Sequence, residues 1–117
     1  MKIGTDIIQI DRILKLIDKY GDTFKHKYLC NEEITMIKRM ETYAGLWAAK
    51  EAISKALGCG ICSDLTFHDI IIKKDTRGAP SFILSDNAQE VHQIISSSLS
   101  ISHDGGFAIA VVALVTE

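Results

Sequence analysis

Trp47-Ala48-Ala49-Lys50-Glu51-Ala52-Ile53-Ser54-Lys55-Ala56-Leu57-Gly58 reads as a single helix around which the rest of the chain is organised. Strong helix formers fill it, proline is absent, and the terminal glycine supplies a left-handed cap. On a 3.6-residue period Leu46, Ala49, Ile53, Ala56 and Leu57 make an apolar arc that Ala48 and Ala52 widen. A narrow strip is left for Lys50, Glu51, Ser54 and Lys55, with Trp47 in its middle. A helix with so few polar positions is expected to be mostly buried, its charges bordering a cleft or an interface. The plainest role for Glu51 and Lys55 is an exposed ion pair four residues apart, worth roughly 0.2–0.5 kcal/mol. A chemical role needs partners from elsewhere in the chain.

Upstream, Lys2 to Ile10 reads as a buried strand with Asp6 set into it. A carboxylate is costly there unless it is paired, hydrogen-bonded or ligating a metal. Asp11 is the expected cap of a helix that Gly21 ends after Tyr20, with Ile13, Leu14 and Ile17 inward. Arg12, Lys15 and Lys19 share another side, either a solvated face or a docking stripe for an acidic protein. Residues 23 to 29 read as irregular or a short helical turn, and Asn31 as the cap of a helix to about Met40, with a restart near Thr42.

Downstream, Leu65 to Lys74 and Ala79 to Leu84 read as a hairpin around Asp75-Thr76-Arg77-Gly78. Asn87 to Ile95 reads as a helix capped by Ser85 or Asp86. Ser96-Ser97-Ser98 reads as a link to strand Leu99 to His103, and Phe107 to Val115 as a strand buried on both faces. The order implies an α+β domain spanning residues 1–117, with a mostly antiparallel sheet packed against a long central helix.

A net charge of −2 over 117 residues argues against a dedicated nucleic-acid binder. No apolar stretch reaches the roughly 18–20 residues that cross a bilayer, and Met1-Lys2 leads straight into a strand, so no membrane span or signal peptide is expected. Three cysteines suit a reducing, cytoplasmic setting. Cys59-Gly60-Ile61-Cys62 has C-x-x-C spacing, but two further zinc ligands are lacking, and these residues are read as small members of a tight loop.

Asp6 on a strand and Glu51 on a buried helix could make one all-oxygen site. Two carboxylates completed by water and substrate phosphates suit Mg²⁺, and neighbouring lysines would balance phosphate charge, the equipment of phosphoryl transfer. The Gly58-Cys59-Gly60 turn lets backbone approach a ligand closely, although a helix C-terminus needs lysines to hold an anion. No P-loop motif is present. A serine hydrolase built on Ser102-His103-Asp104 fails because strand neighbours face opposite ways.

Gly4-x-Asp6-Ile7, the Trp47-to-Gly58 stretch with its aromatic-x-x-Lys-Glu-Ala-x-x-Lys pattern, and Ser100-Ile-Ser102-His103-Asp104 before a last apolar strand together resemble the holo-acyl-carrier-protein synthase family of small phosphopantetheinyl transferases. The resemblance runs the length of the chain and implies the 4'-phosphopantetheinyl transferase-like fold. It implies transfer of the phosphopantetheine arm of coenzyme A to a serine of apo acyl carrier protein, with release of adenosine 3',5'-bisphosphate. In that likeness Asp6 and Glu51 are the Mg²⁺ ligands and Lys55 neutralises the phosphates, with Lys50 beside it. Gly58, Gly60 and His103 then border coenzyme A, and Arg12, Lys15 and Lys19 meet the acidic carrier. The serine proton would pass to water or to Glu51. A homotrimer with sites at subunit boundaries is implied as well. Leu46, Cys59 and Ala79 depart from residues common in the family, all on the coenzyme A side.

Overall fold

The computed structural model describes residues 1–117 as an α+β fold. Its strands and helices are β1 (Lys2–Gln9), α1 (Ile10–Tyr20), α2 (Asp22–Tyr28), α3 (Asn31–Met36), α4 (Met40–Ala56), β2 (Ile70–Lys74), β3 (Pro80–Leu84), α5 (Asp86–His92), β4 (Ile94–Asp104) and β5 (Phe107–Thr116). The sheet order is β1-β5-β4, antiparallel throughout, and β2 and β3 form a separate antiparallel hairpin. Helix α4 lies against β1 and β5, with α1 packed on it as well. Alternate sheet residues Ile8, Ala108, Ala110, Val112 and Leu114 meet Ala48, Ala49, Ala52 and Ile53 of the helix in one buried cluster.

The small residues of α4 decide how closely the sheet comes. Gly4 of β1 touches the helix backbone, and a Cβ there would lie 1.9 Å from Ala52 O and 2.8 Å from Ala56 N. No side chain fits. Asp6, two residues on, leaves β1 on the same face as Gly4 and so is carried to the same helix. We expect Gly4→Ala to push β1 off α4 and cost at least about 1–3 kcal/mol, as overpacking does. Chemical denaturation measures it, and an unchanged midpoint would contradict so close an approach.

Several expectations needed correction. The N-cap of α1 is Gln9, which leaves Asp11 in the first turn, and the cap of α3 is Cys30 rather than Asn31. Helix α3 stops at Met36 and α4 starts at Met40, because Ile37 and Arg39 between them are extended. Leu65 bridges back to Cys62, and the 3-10 helix Phe67–Asp69 follows before β2 begins at Ile70. Ser85 caps α5 as expected, accepting from Ala88 N at 3.4 Å, but the helix ends at His92 because Gln93 turns left-handed. The serine run belongs to β4, paired with β5 apart from an irregularity at Ile95; Leu99 is the only buried residue of that strand, so its composition resembles a loop. Strand β5 buries one face only, and Phe107, Ile109, Val111 and Val115 remain exposed on the other. No helix is long and apolar enough to cross a membrane.

Candidate active site

Asp6, Glu51 and Lys55 meet at the edge where β1 crosses the C-terminal half of α4. Lys55 Nζ donates to Asp6 Oδ1 at 2.8 Å and to Thr5 O at 3.2 Å. Asp6 is mostly covered, its side chain 14% exposed, while that of Lys55 is 52% exposed and free to turn toward a ligand. Glu51 lies one helical turn before Lys55 and is half-buried. Loss of solvent, and secondarily the Asp6 carboxylate, push the Glu51 carboxyl above its ordinary range, with Lys55 opposing. The Glu51–Lys55 ion pair suggested by spacing is not formed, since the lysine reaches across to Asp6 instead.

Two carboxylates on two rigid elements, with Asp6 adding to the cost of ionising Glu51, form a site that a divalent cation would relieve. No third His, Cys, Asp or Glu joins them. Such a donor set fits an ion that keeps part of its water shell and completes it with substrate oxygens, the habit of Mg²⁺. Gly58 and Gly60, with φ of 81° and 68°, close the end of the same helix, their amides donating to Lys55 O and Ser54 O.

Lys50 is not part of this edge. It is fully buried, and its ammonium donates to Tyr28 O (2.6 Å), Glu33 Oε1 (2.9 Å) and Phe67 O (3.0 Å). All three of its protons are used, so none remains for a phosphate. Burial lowers its pKa and the carboxylate of Glu33 opposes that shift. Glu33, also buried, accepts from Cys30 N and Ile72 N at 2.9 and 2.8 Å as well, so one ion pair ties α3, α4, β2 and the end of α2 together. The polar strip inferred for α4 therefore splits, with Lys50 and Ser54 inside and Glu51 and Lys55 outward.

His103 sits elsewhere. Asp6 pairs with Ala110 and Ala110 with Ile101, so two strand spacings, about 9–10 Å, separate Asp6 from the strand that carries His103. That histidine lines a cavity of about 730 Å³ with Lys38, Arg39, Lys74 and Arg77, along the N-terminal half of α4. Leu46 is buried at its wall. Lysines and arginines from two other segments, 38–39 and 74–77, line this cavity although position 46 supplies none. Ser102 pairs with Ile109 on the exposed sheet face and His103 with Ala108 on the buried one, so the serine–histidine couple is absent.

On α1, Arg12, Lys15 and Lys19 are exposed, but Lys15 is tied to Asp11 at 3.0 Å, which leaves Arg12 and Lys19 as the stronger positive points. Beside them lies a pocket of about 510 Å³ lined by Leu16, Tyr20, Phe24, Lys27, Trp47 and Phe67. Ring centroids of Trp47 lie 5.9 Å from Phe24 and 4.8 Å from Phe67. Sequence periodicity placed Trp47 on α4 but gave no sign of this pocket, whose rings come from three distant segments.

The family model of the 4'-phosphopantetheinyl transferase superfamily matches residues 2–112. A holo-[acyl-carrier-protein] synthase of Sulfurovum sp. (strain NBC37-1) is 68% identical over 117 residues, covering 100% of this chain and 98% of that protein. One from Campylobacter jejuni subsp. doylei is 52% identical over 115 residues, 98% of this chain and 100% of the relative. Among solved structures, Helicobacter pylori holo-[acyl-carrier-protein] synthase in complex with coenzyme A superposes with a TM-score of 0.93 at 43% identity, over 97% of this chain and 99% of the other. With so full a match in sequence and in fold, this chain belongs to the 4'-phosphopantetheinyl transferase superfamily.

Proposed function

We propose that the chain is a holo-[acyl-carrier-protein] synthase, which moves 4'-phosphopantetheine from coenzyme A to a serine of apo acyl carrier protein and releases adenosine 3',5'-bisphosphate. The observation that carries this is the convergence of Asp6, Glu51 and Lys55 on one edge in a member of this family. Mg²⁺ held by Asp6 and Glu51 would polarise the diphosphate and offset its charge. Lys55 lies within reach of the same phosphates, and leaving Asp6 for a phosphate oxygen costs little because the lysine is half in water. The carrier serine oxygen attacks the β-phosphorus; the new P–O bond forms as the bond to adenosine 3',5'-bisphosphate breaks. The serine proton goes to water or to Glu51. Incubation of apo carrier protein with coenzyme A, Mg²⁺ and this chain, read by mass spectrometry, tests the assignment. Carrier that gains the phosphopantetheine mass supports it, and unmodified carrier removes it.

We assign Gly58, Gly60 and His103 to coenzyme A. The cationic cavity around His103 suits the adenosine 3',5'-bisphosphate end, but it lies apart from the Asp6 edge of its own chain. We therefore infer that the two parts face each other across a subunit boundary, in the homotrimer that the family resemblance implies. The outer sheet face favours burial against a second copy, since Ile3, Ile7, Ile109 and Val111 are neighbours across β1 and β5 and all exposed. Sedimentation at micromolar concentration is expected to give three chains; a monomer that still transfers would refute the shared site. A cytoplasmic setting agrees with three free thiols.

Arg12 and Lys19, with the aromatic pocket next to them, are the proposed carrier docking face, and Lys15 extends it. Charge reversal at Arg12 and Lys19 is expected to raise the KM for carrier protein about tenfold or more at low salt, each lost charge contact contributing on the order of 1 kcal/mol. The KM for coenzyme A should stay put. An equal rise in both would mean a general defect instead of lost docking.

A further inference from the structure

The loop that closes α4 holds two cysteines with no part in the proposed transfer. Gly58 N donates to Lys55 O at 3.0 Å, and Cys59 N and Gly60 N both donate to Ser54 O, at 3.3 and 3.2 Å. The positive φ of Gly58 and Gly60 folds the chain tightly on either side of Cys59. Cys62 is pinned in turn, its amide and carbonyl bonded to Leu65 at 3.0 and 3.2 Å. Cys59 and Cys62 are both free and exposed, whereas Cys30 is half-buried at the start of α3. Cys59 Sγ lies 3.8 Å from Ser54 O, and the Cys62 thiol is near enough to raise the cost of ionising it.

We propose that Cys59 and Cys62 are a peroxide-sensitive dithiol that closes to an intrachain disulfide at the C-terminal cap of the helix carrying Glu51 and Lys55. Three residue steps with Gly60 between the cysteines let the Cα atoms reach the roughly 4.4–6.8 Å that a disulfide needs. The Cys62 sulfur attacks a peroxide oxygen, the O–O bond breaks, and a sulfenic acid and one water result. Cys59 sulfur then attacks the sulfenic sulfur, the S–S bond forms, and a second water leaves with the remaining thiol proton. Peroxide is reduced by two electrons and the two thiols are oxidised. Burial and the neighbouring thiol push the Cys59 thiol up, which makes it the slower nucleophile and suits it to the second step. Closure draws Cys59 Sγ away from Ser54 O and re-seats Gly58 and Gly60, which slows transfer at low coenzyme A until a thiol reductant reopens the bond. This last consequence rests on the function proposed above; the covalent change does not.

The test is hydrogen peroxide treatment of the whole protein, then alkylation and mass spectrometry of tryptic peptide 56–73, which holds both cysteines and excludes Cys30. The expected product is that peptide lacking two hydrogens and unalkylated, formed equally in Cys30→Ser, converted back to the dithiol by dithiothreitol, and absent in Cys62→Ser. Transfer at subsaturating coenzyme A is expected to fall severalfold in the oxidised wild type and recover with dithiothreitol, with no such fall in Cys62→Ser. Sulfinic acid in place of the disulfide, a bridge to Cys30, or a crosslink between chains would overturn the proposal. Should the peptide close while an otherwise active enzyme keeps its rate, the control of transfer is overturned. Absence of transfer in the reduced wild type counts against the proposed function alone.

Discussion

Glu51→Gln and Asp6→Asn are each expected to lower Mg²⁺-dependent transfer by at least about 100–1000-fold, the scale on which losing one preorganised electrostatic contact acts in a water-poor site. Both substitutions keep shape and remove charge. The fold should survive them, for physical reasons that differ between the two. Glu51 is a half-buried carboxylate whose ionisation is opposed by desolvation and by Asp6. Making it neutral removes a repulsion, so without Mg²⁺ the variant should unfold at the same denaturant concentration as the parent or a slightly higher one. Asp6→Asn loses the contact with Lys55, but that lysine is half-exposed and the pair is worth no more than about 1 kcal/mol. Activity and stability therefore separate, and circular dichroism melts beside transfer assays show it. Normal turnover in either variant would leave the two acids as spectators.

Lys50→Met is expected to do the reverse, lowering stability by about 3–5 kcal/mol, because the Glu33 carboxylate stays buried without its cation. Two backbone carbonyls, those of Tyr28 and Phe67, lose their donor at the same time. Urea unfolding measures the loss. The double variant with Glu33→Leu should recover part of it, since no unpaired charge then remains, although Cys30 N and Ile72 N lose their acceptor. At a temperature where Lys50→Met is folded, its KM for coenzyme A should match the parent's. A raised KM with unchanged stability would restore the phosphate-binding role that the sequence pattern of α4 suggested.

That contrast shows what the sequence could and could not carry. Periodicity fixed α4 as a buried helix, and the unusual placing of Asp6 in an apolar strand marked it as needing a partner. Nothing in the spacing could say which lysine that partner was. Lys50 and Lys55 differ in fate only because Glu33 lies under one and Asp6 beside the other, from segments 17 and 49 residues away. Glu33 left a faint trace, three residues after the true cap, Cys30, in the place where a capping glutamate belongs. Cysteine is outside the usual set of capping residues, so Asn31 drew the assignment. The serines of β4 read as a link because an almost wholly exposed strand has no apolar rhythm; β5 supplies its hydrogen bonds. The apolar run of β5 implied two buried faces, and the chain by itself covers one.

The central claim is that Asp6 and Glu51 hold one divalent ion beside a pyrophosphate. It is tested most directly by a crystal grown with coenzyme A and Mn²⁺ in place of Mg²⁺, read by anomalous scattering. The account predicts a single strong peak within bonding distance of an oxygen of Asp6 and an oxygen of Glu51, with diphosphate oxygens on its open side. A peak bound by neither carboxylate, or the two carboxyl groups turned away from a shared ion in every subunit, would contradict it.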